Sequence, residues 1–201
     1  MSRCLRNNIR MPWRIRFAPV AASRQQRGFT LIELMVTLAV AVVLLVIAVP
    51  SFTNITLSNR LTTTGNDIVS AISTARMEAI KRNANTQLCS NVAASNGTDT
   101  LGLACGTHTG AVFVMTGTTT TQIGADMVGI ATPLQLSGNM AAVRFSGEGL
   151  GHDPTVSSNP PPYLGQIADI CTSSISINNH RVIQMTAGSI LVTKPDTRTC
   201  P

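Results

Sequence analysis

Charged and aromatic side chains are scarce in this chain of 201 residues. Only 12% of the residues are charged, and the aromatic residues, one Trp, one Tyr and five Phe, make up 3%. Proteins that bind single-stranded nucleic acids stack the bases on aromatic rings and neutralise the phosphates with a dense basic groove. The composition therefore disfavours a nucleic-acid-binding module.

Catalytic and metal-binding patterns are also missing from the sequence. None of the three histidines, His108, His152 and His180, lies in an HExxH pattern or beside a nucleophile motif. Acidic residues stand singly rather than in the pairs that acid–base catalysis uses, and no cysteines have the C-x₂₋₄-C spacing of zinc sites. Residues 147–151 (GEGLG) do not match GxGxxG and predict a loop. We therefore predict no enzyme, no cofactor and no metal.

One long apolar segment does stand out, at residues 29–49. It has 21 residues, of which only Glu33 is charged, and a helix of that length rises about 30 Å, enough to cross a hydrocarbon core. Seven of the 15 basic residues precede it in residues 1–28, which contain no acid, so the remaining eight face nine acidic residues. Because Lys and Arg stay cytoplasmic, we expect a single inner-membrane span with the C-terminal domain in the periplasm.

Pro50 follows the apolar segment inside a longer predicted helix. Its missing N–H and its ring predict a kink there. Beyond it the pattern becomes amphipathic, and we expect the helix to end near Asn83. Apolar or small residues recur at spacings of three and four, at Leu57, Leu61, Thr64, Ile68, Ile72, Ala75 and Ala79.

Short β segments follow the helix, so the fold class is α+β, an antiparallel meander packed on the helix. We expect Asn178 and Asn179 to form a hairpin turn, and residues 117–121 and 153–163 to be loops. The predicted strands cover residues 86–90, 111–116, 140–145, 174–177, 181–185 and 189–193.

The cysteines fit a periplasmic domain, because disulfides persist in oxidising compartments. Cys4 lies in the basic segment 1–28, and the part expected in the periplasm holds Cys89, Cys105, Cys171 and Cys200. Four cysteines allow three pairings. We favour Cys89–Cys105 and Cys171–Cys200, since each closes a modest loop.

Two segments resemble a known family. Residues 28–33 (GFTLIE) resemble the processing site of type IV prepilins and type II secretion pseudopilins, and residues 75–83 (ARMEAIKRN) resemble the end of the first helix in the GspH/FimT/FimU subfamily. The resemblance implies that a prepilin peptidase cuts between Gly28 and Phe29, that the new amino group of Phe29 is methylated, and that Glu33 helps to dock the subunit into a filament.

The implied protein is a minor type IV pilin or pseudopilin, assembled with other major and minor pilins or pseudopilins into a pilus, a pseudopilus or a priming tip complex. We expect a leader at 1–28, a transmembrane and assembly helix at 29–50, an amphipathic outer half at 51–84 and a periplasmic β domain with two disulfides at 85–201. The sequence leaves open the pilus or the type II secretion machine, and Met1 or Met11 as the start.

The presence of a charged residue, Glu33, in the apolar segment can also be interpreted without the family resemblance. An ionisable residue in a spanning helix costs about 2.5–3.5 kcal/mol on insertion scales, so it usually has a partner. After cleavage, the ammonium group of Phe29 in a neighbouring subunit can be that partner. The alternative is a carboxylate tolerated near the membrane interface.

A DNA receptor is the alternative function. In FimT-like proteins, the resemblance implies a C-terminal GRxR motif that contacts phosphates, but here the matching residues 188–191 are GSIL and lack both arginines. Arg181, Lys194 and Arg198 remain as possible weak DNA contacts. Three cations fall short of the dense patch that phosphate binding needs.

We predict that Gly28→Val blocks maturation, because a bulky side chain next to the scissile bond prevents peptidase access. The variant should keep its leader and remain full length in the membrane. Intact-mass measurement checks this, with Ser23→Val as a control substitution inside the leader. Normal cleavage of Gly28→Val would contradict the prediction.

Overall fold

The structure is a computed structural model, which describes residues 28–156 and 159–201. Its first element is the helix α1 (Leu31–Arg82), which is 52 residues long. The chain divides into two units, Met1–Leu44 and Leu45–Pro201, with the boundary inside α1. In the first unit, the described apolar side chains are exposed.

Pro50 lies inside α1, and helical structure continues through it. Because proline has no N–H, the carbonyl of Val46 receives no bond from this position. The hydroxyl of Thr53 donates a 2.9 Å hydrogen bond to the Pro50 carbonyl, one of several such bonds along this part of the helix. The kink at Pro50 stays a prediction.

The amphipathic half of α1 buries the predicted stripe. Leu57 is partly buried against the core. The buried residues of the helix are Leu61, Thr64, Gly65, Ile68, Ile72, Ala75 and Ala79. The 3.6-residue period of the sequence therefore identified the face that packs on the sheets.

The helix ends where the sequence predicts, next to Asn83. Asn83 has a left-handed backbone, with φ at 45°. Its N–H donates to the Ile80 carbonyl at 3.3 Å, and the Ala84 N–H donates to the Ala79 carbonyl at 3.1 Å. These two bonds form a Schellman cap, which satisfies carbonyls of the last helical turn.

The β region forms two antiparallel sheets, with strand orders β3-β2-β1-β5-β6 and β4-β7-β8-β9. A short helix, α2 (Thr100–Cys105), and two 3₁₀ turns, Ala93–Asn96 and Ala187–Ser189, connect the strands. The strands are β1 (Thr86–Leu88), β2 (Val112–Thr116), β3 (Thr119–Gly124), β4 (Gln135–Leu136), β5 (Val143–Phe145), β6 (Gly151–His152), β7 (Gly165–Cys171), β8 (His180–Thr186) and β9 (Ile190–Asp196).

The predicted strand pattern needs several corrections. Residues 174–177 are not a strand but part of the connection between β7 and β8, so Asn178 and Asn179 end a longer loop rather than form a two-residue hairpin turn. Residues 117–121 are the β2–β3 turn and the start of β3, not a loop. Consecutive strands are neighbours in β1–β3 and in β7–β9, but the strands do not form one meander, since β1 also pairs with β5.

The core has two parts. The larger one packs the α1 stripe against both sheets, with Phe145, Ile170 and Ile183 among its fully buried residues. The smaller one packs α2 on β2 through Leu101 and Phe113. The smaller part also contains the disulfide between Cys89 and Cys105, described below.

We predict opposite effects for two glycine substitutions. A Cβ on Gly65 would lie 3.8 Å from the Arg181 Cβ, an ordinary contact, so Gly65→Ala should stabilise the protein by up to about 1 kcal/mol through helix propensity. A Cβ on Gly102 would lie 2.2 Å from the Asn96 carbonyl oxygen, so Gly102→Ala should destabilise it by about 1–3 kcal/mol.

Thermal unfolding of the full-length protein in detergent, under non-reducing conditions, measures both variants. The melting temperature should rise for Gly65→Ala and fall for Gly102→Ala. The same sign for both would refute the packing described here.

Candidate processing and assembly site

Residues 28–30 precede the helix, so the predicted scissile bond lies outside regular structure. Phe29 is 80% exposed. The Thr30 side-chain oxygen accepts a 3.3 Å hydrogen bond from the Glu33 backbone N–H. Thr30 therefore occupies the N-cap position of α1. Thr30 and Glu33 also match the T-x-x-E capping-box pattern, a signal that could have located this helix start.

Glu33 lies in the first turn of α1, on an exposed face. The N-terminal end of a helix carries a partial positive charge, which favours a carboxylate there. The new amino terminus that cleavage would create at Phe29 lies only four residues earlier in the chain. After cleavage, the partial positive charge of the helix end and the ammonium group of Phe29 would therefore both lie close in sequence to Glu33, the only charged residue of the apolar segment.

The apolar part of α1 has no covering partner among the described residues. Leu31, Val43 and Ile47 are each more than 60% exposed. Among the parts of the chain that the structure describes, α1 is the one helix long and apolar enough to cross a membrane. Exposed apolar surface of this extent marks a membrane-spanning or protein-binding segment.

The three candidate DNA-contacting cations do not form one patch. Arg181 projects toward α1, where its Nη2 donates to the Thr62 hydroxyl at 3.3 Å. Lys194 pairs with Val182 across β8 and β9, one residue further along than Arg181. Because side chains alternate along a strand, Lys194 lies on the opposite face of the sheet. The third cation, Arg198, binds Asp169 with 2.6 Å between Nη2 and Oδ2.

The four cysteines that follow the apolar segment form two disulfides in the structure, with the connectivity that the sequence favours. Cys89 pairs with Cys105 and Cys171 with Cys200, with Cα–Cα distances of 5.4 and 5.7 Å. Both distances are typical of disulfides. Within residues 28–156 and 159–201, no group of three or more His, Cys, Asp or Glu could hold a metal ion.

A polar cluster around Arg144 was not predicted from the sequence. Arg144 Nη1 lies 2.7 Å from Asp99 Oδ2, and Arg144 Nε donates to the Oε1 atom of buried Gln87 at 2.9 Å. Asp99 also caps α2 by accepting a 2.9 Å bond from the Gly102 N–H. The hydrogen bond from Arg144 holds the pKa of Asp99 below its ordinary value. The cluster joins β1, β5 and α2.

An open cleft of about 370 Å³ lies beside this cluster, lined in part by Arg144, His152 and Asp153. Burial, followed by the charge of Arg144, lowers the pKa of His152. Because the guanidinium is already bonded to Asp99 and Gln87, the cleft offers no free cation from Arg144. The polar groups beside the cleft therefore join β1, β5 and α2 to one another.

Comparisons with known protein families identify both parts of the chain. The family model for the prokaryotic N-terminal methylation motif matches residues 23–49, which places the protein in the class of type IV pilin-like proteins. The model for type II transport protein GspH matches residues 64–189, more than half of the chain. The chain therefore belongs to the GspH family.

No curated protein and no solved structure gave a significant match. The GspH family is structural rather than catalytic. The methylation motif implies processing by a prepilin peptidase and assembly with other pilins or pseudopilins. Together with the apolar helix, it also indicates membrane anchoring.

We predict that Arg144→Ala destabilises the domain by about 1–3 kcal/mol at neutral pH, because it leaves the buried Gln87 oxygen without a donor. Asp99→Asn is the matched variant, since it can keep the helix cap but loses the charge. It should cost less than about 1 kcal/mol, because the Asp99 side chain is 47% exposed.

The pH dependence separates the two effects. A lowered carboxyl pKa stabilises the fold above the unfolded value of about 3.9, and that contribution is lost as the pH falls through the folded value. Denaturant unfolding at pH 7 and below pH 3 should therefore show the wild-type advantage over Asp99→Asn disappearing in acid. An advantage that persists unchanged in acid would contradict this ion pair.

Proposed function

We propose that the protein is a minor subunit of a type IV pilus or pseudopilus, assembled from the inner membrane into the filament or its priming tip complex. One observation carries the proposal: the GFTLIE segment opens an apolar helix whose side chains have no covering partner in the described chain. Such a helix needs lipid before assembly and neighbouring helices after it. The family membership supports the same conclusion.

The proposed subunit has four parts. Residues 1–28 form the basic leader that the peptidase removes, and residues 29–50 form the transmembrane and assembly helix. Residues 51–84 form the amphipathic outer half of the helix, and residues 85–201 form the periplasmic domain. The charge distribution supports this orientation, because the seven arginines of the leader favour the cytoplasm.

Glu33 is proposed as the docking residue and Phe29 as the methylated amino terminus. In the low dielectric of a helix bundle, an unpaired carboxylate or ammonium is strongly disfavoured, whereas a pair of the two is tolerated. Pairing Glu33 with the Phe29 ammonium of a neighbouring subunit therefore favours one axial register between the helices. The subunit would enter the filament only when this register is reached.

The pilus is favoured over the type II secretion machine by the ARMEAIKRN segment at the end of α1 and by the C-terminal disulfide. The DNA-receptor alternative receives little support, because Arg181 and Lys194 lie on opposite faces of the sheet and Arg198 is bonded to Asp169. A salt-dependent gel shift by the full-length protein in detergent would favour that alternative.

We predict that Glu33→Ala separates membrane insertion from assembly. The variant makes the helix more apolar and leaves Gly28 and Phe29 intact, so it should insert and be cleaved normally. Docking should fail, because an uncompensated buried charge costs several kcal/mol. Since about 1.4 kcal/mol is tenfold, its amount in assemblies should fall by about a hundredfold or more.

The amount of this subunit in sheared filaments or cross-linked tip complexes measures the effect, relative to its amount in the membrane. Thr37→Ala is the matched control, because it removes a polar group from the same helix. The only bond described for the Thr37 hydroxyl is to the Leu34 carbonyl. The control should assemble normally. If cleaved Glu33→Ala enters assemblies at the wild-type level, Glu33 is only a tolerated carboxylate near the membrane interface.

A further inference from the structure

The last five residues, 197–201, cross the face of β7 and β8 that points away from α1. We call this segment the C-terminal strap. Cys171 pairs with His180 across β7 and β8, and the strap reaches this face through the disulfide from Cys200 to Cys171. The side chain of Gln135, on β4, donates to the terminal carbonyl of Pro201.

A buried ionic cluster lies beneath the strap. The side chains of Asp169 and His180 are 1% and 0% exposed. The His180 Nδ1 atom lies 3.0 Å from both carboxylate oxygens of Asp169, and Arg198, from the strap, places Nη2 2.6 Å from Oδ2. A buried carboxylate is strongly disfavoured without such partners, so Asp169 provides a strong attachment point for the strap.

Arg198 is held by further bonds, two at its backbone and one at its guanidinium. Its backbone N–H donates to the Asn179 side-chain oxygen at 3.2 Å, and its carbonyl accepts from the Asn179 side-chain nitrogen at 2.8 Å. Its Nε atom lies 2.9 Å from an Asp196 carboxylate oxygen. Arg198 is therefore fixed only two residues before Cys200.

The other disulfide, Cys89–Cys105, is held by apolar packing rather than by an ion pair. Cys89 and Cys105 are 16 residues apart, and α2 packs both of them with Leu101 and Phe113 in a separate apolar cluster. None of the bonds described for Arg198 reaches that cluster. It therefore serves as an internal reference for any effect on the Cys171–Cys200 bond.

We propose that Asp169 and Arg198 position the C-terminal strap so that Cys200 pairs with Cys171, which makes the ion pair and the disulfide mutually stabilising. With oxidised glutathione as the oxidant, one cysteine thiolate attacks it and releases a first glutathione thiolate. The second cysteine thiolate then displaces the other glutathione from the mixed disulfide. The net reaction converts two cysteine thiols and one oxidised glutathione into one protein disulfide and two reduced glutathiones.

This positioning acts through effective concentration. An anchored strap holds the Cys200 sulfur beside Cys171, whereas a free tail would sample many positions. Reciprocity requires that the disulfide in turn favours the Arg198–Asp169 contact by the same factor. His180, on β8, also contacts Asp169, so the environment of its ring should change when the strap leaves Asp169.

The test measures both disulfide equilibrium constants in one molecule. Full-length protein in detergent micelles is equilibrated in glutathione buffers, the free thiols are alkylated, and the pairs are quantified by peptide mass mapping. We expect Arg198→Ala to lower the Cys171–Cys200 constant by about tenfold, from the loss of a charged hydrogen bond, and to leave the Cys89–Cys105 constant unchanged. Arg198→Lys should recover much of the loss.

Lys194→Ala is the control, because it removes a cation from the same sheet face outside the strap, and it should change neither constant. An unchanged Cys171–Cys200 constant in Arg198→Ala would overturn the proposal. A parallel fall of both constants would also overturn it, since Arg198 would then act on the fold as a whole.

A measurement on the wild-type protein covers the case in which Arg198→Ala does not fold. Reduction of Cys171–Cys200 should shift the NMR signals of the His180 ring and the Arg198 Nε–H, while the α2 amide signals stay in place. Unchanged His180 and Arg198 signals after that reduction would show that the strap and the ion pair are not coupled.

Discussion

The packing of one stripe of α1 against two sheets is the interaction on which the rest of the domain depends. The stripe narrows toward its C-terminal end, where Ala75 and Ala79 are fully buried and let the strands approach closely. The Thr86 hydroxyl donates a 2.7 Å bond to the Ala75 carbonyl, which joins the start of β1 to the helix backbone. Because β1 pairs with both β2 and β5, this contact fixes the centre of the larger sheet.

Two polar clusters supply hydrogen-bond partners to polar side chains that are buried beside the apolar core. Arg144 donates to the buried amide of Gln87 near one disulfide, and Arg198 donates to the buried carboxylate of Asp169 near the other. In each case a partly exposed cation supplies donors to a group that the fold has taken out of water. The arrangement uses few charges, in keeping with the composition, and each one has a defined partner.

Periodicity explains what the sequence could predict. The spacing of Leu61, Ile68 and Ile72 specified the buried face. The helix end predicted near Asn83 coincides with a left-handed residue that suits the cap. β7 is absent from the predicted strands because a charged residue, Asp169, lies within an otherwise buried run. β3 consists mainly of threonine and glutamine and carries little apolar signal. The buried charge in β7 depends on a partner distant in sequence, Arg198, whereas β3 depends on pairing with its neighbour β2.

The candidate site divides in the same way. The methylation motif could be predicted because it is local, and a family model matches it at residues 23–49, whereas the roles of Gly28, Phe29 and Glu33 stay predictions. The two disulfides could be predicted because each closes a modest loop. The Arg144 cluster could not be predicted, since it joins residues 45 and 57 positions apart. The placement of Arg181 and Lys194 on opposite faces also required the strand register, which a propensity for strand does not supply.

The disulfide from Cys171 to Cys200 also has a mechanical consequence. It closes a covalent ring across 29 positions of the chain, which includes all of β8 and β9. A fully extended chain spans about 3.3–3.6 Å per residue, so roughly 100 Å of contour length is removed from whatever a pulling force could draw out. Under tension, β8 and β9 can lose their pairing, but the chain between these cysteines cannot lengthen unless a covalent bond breaks.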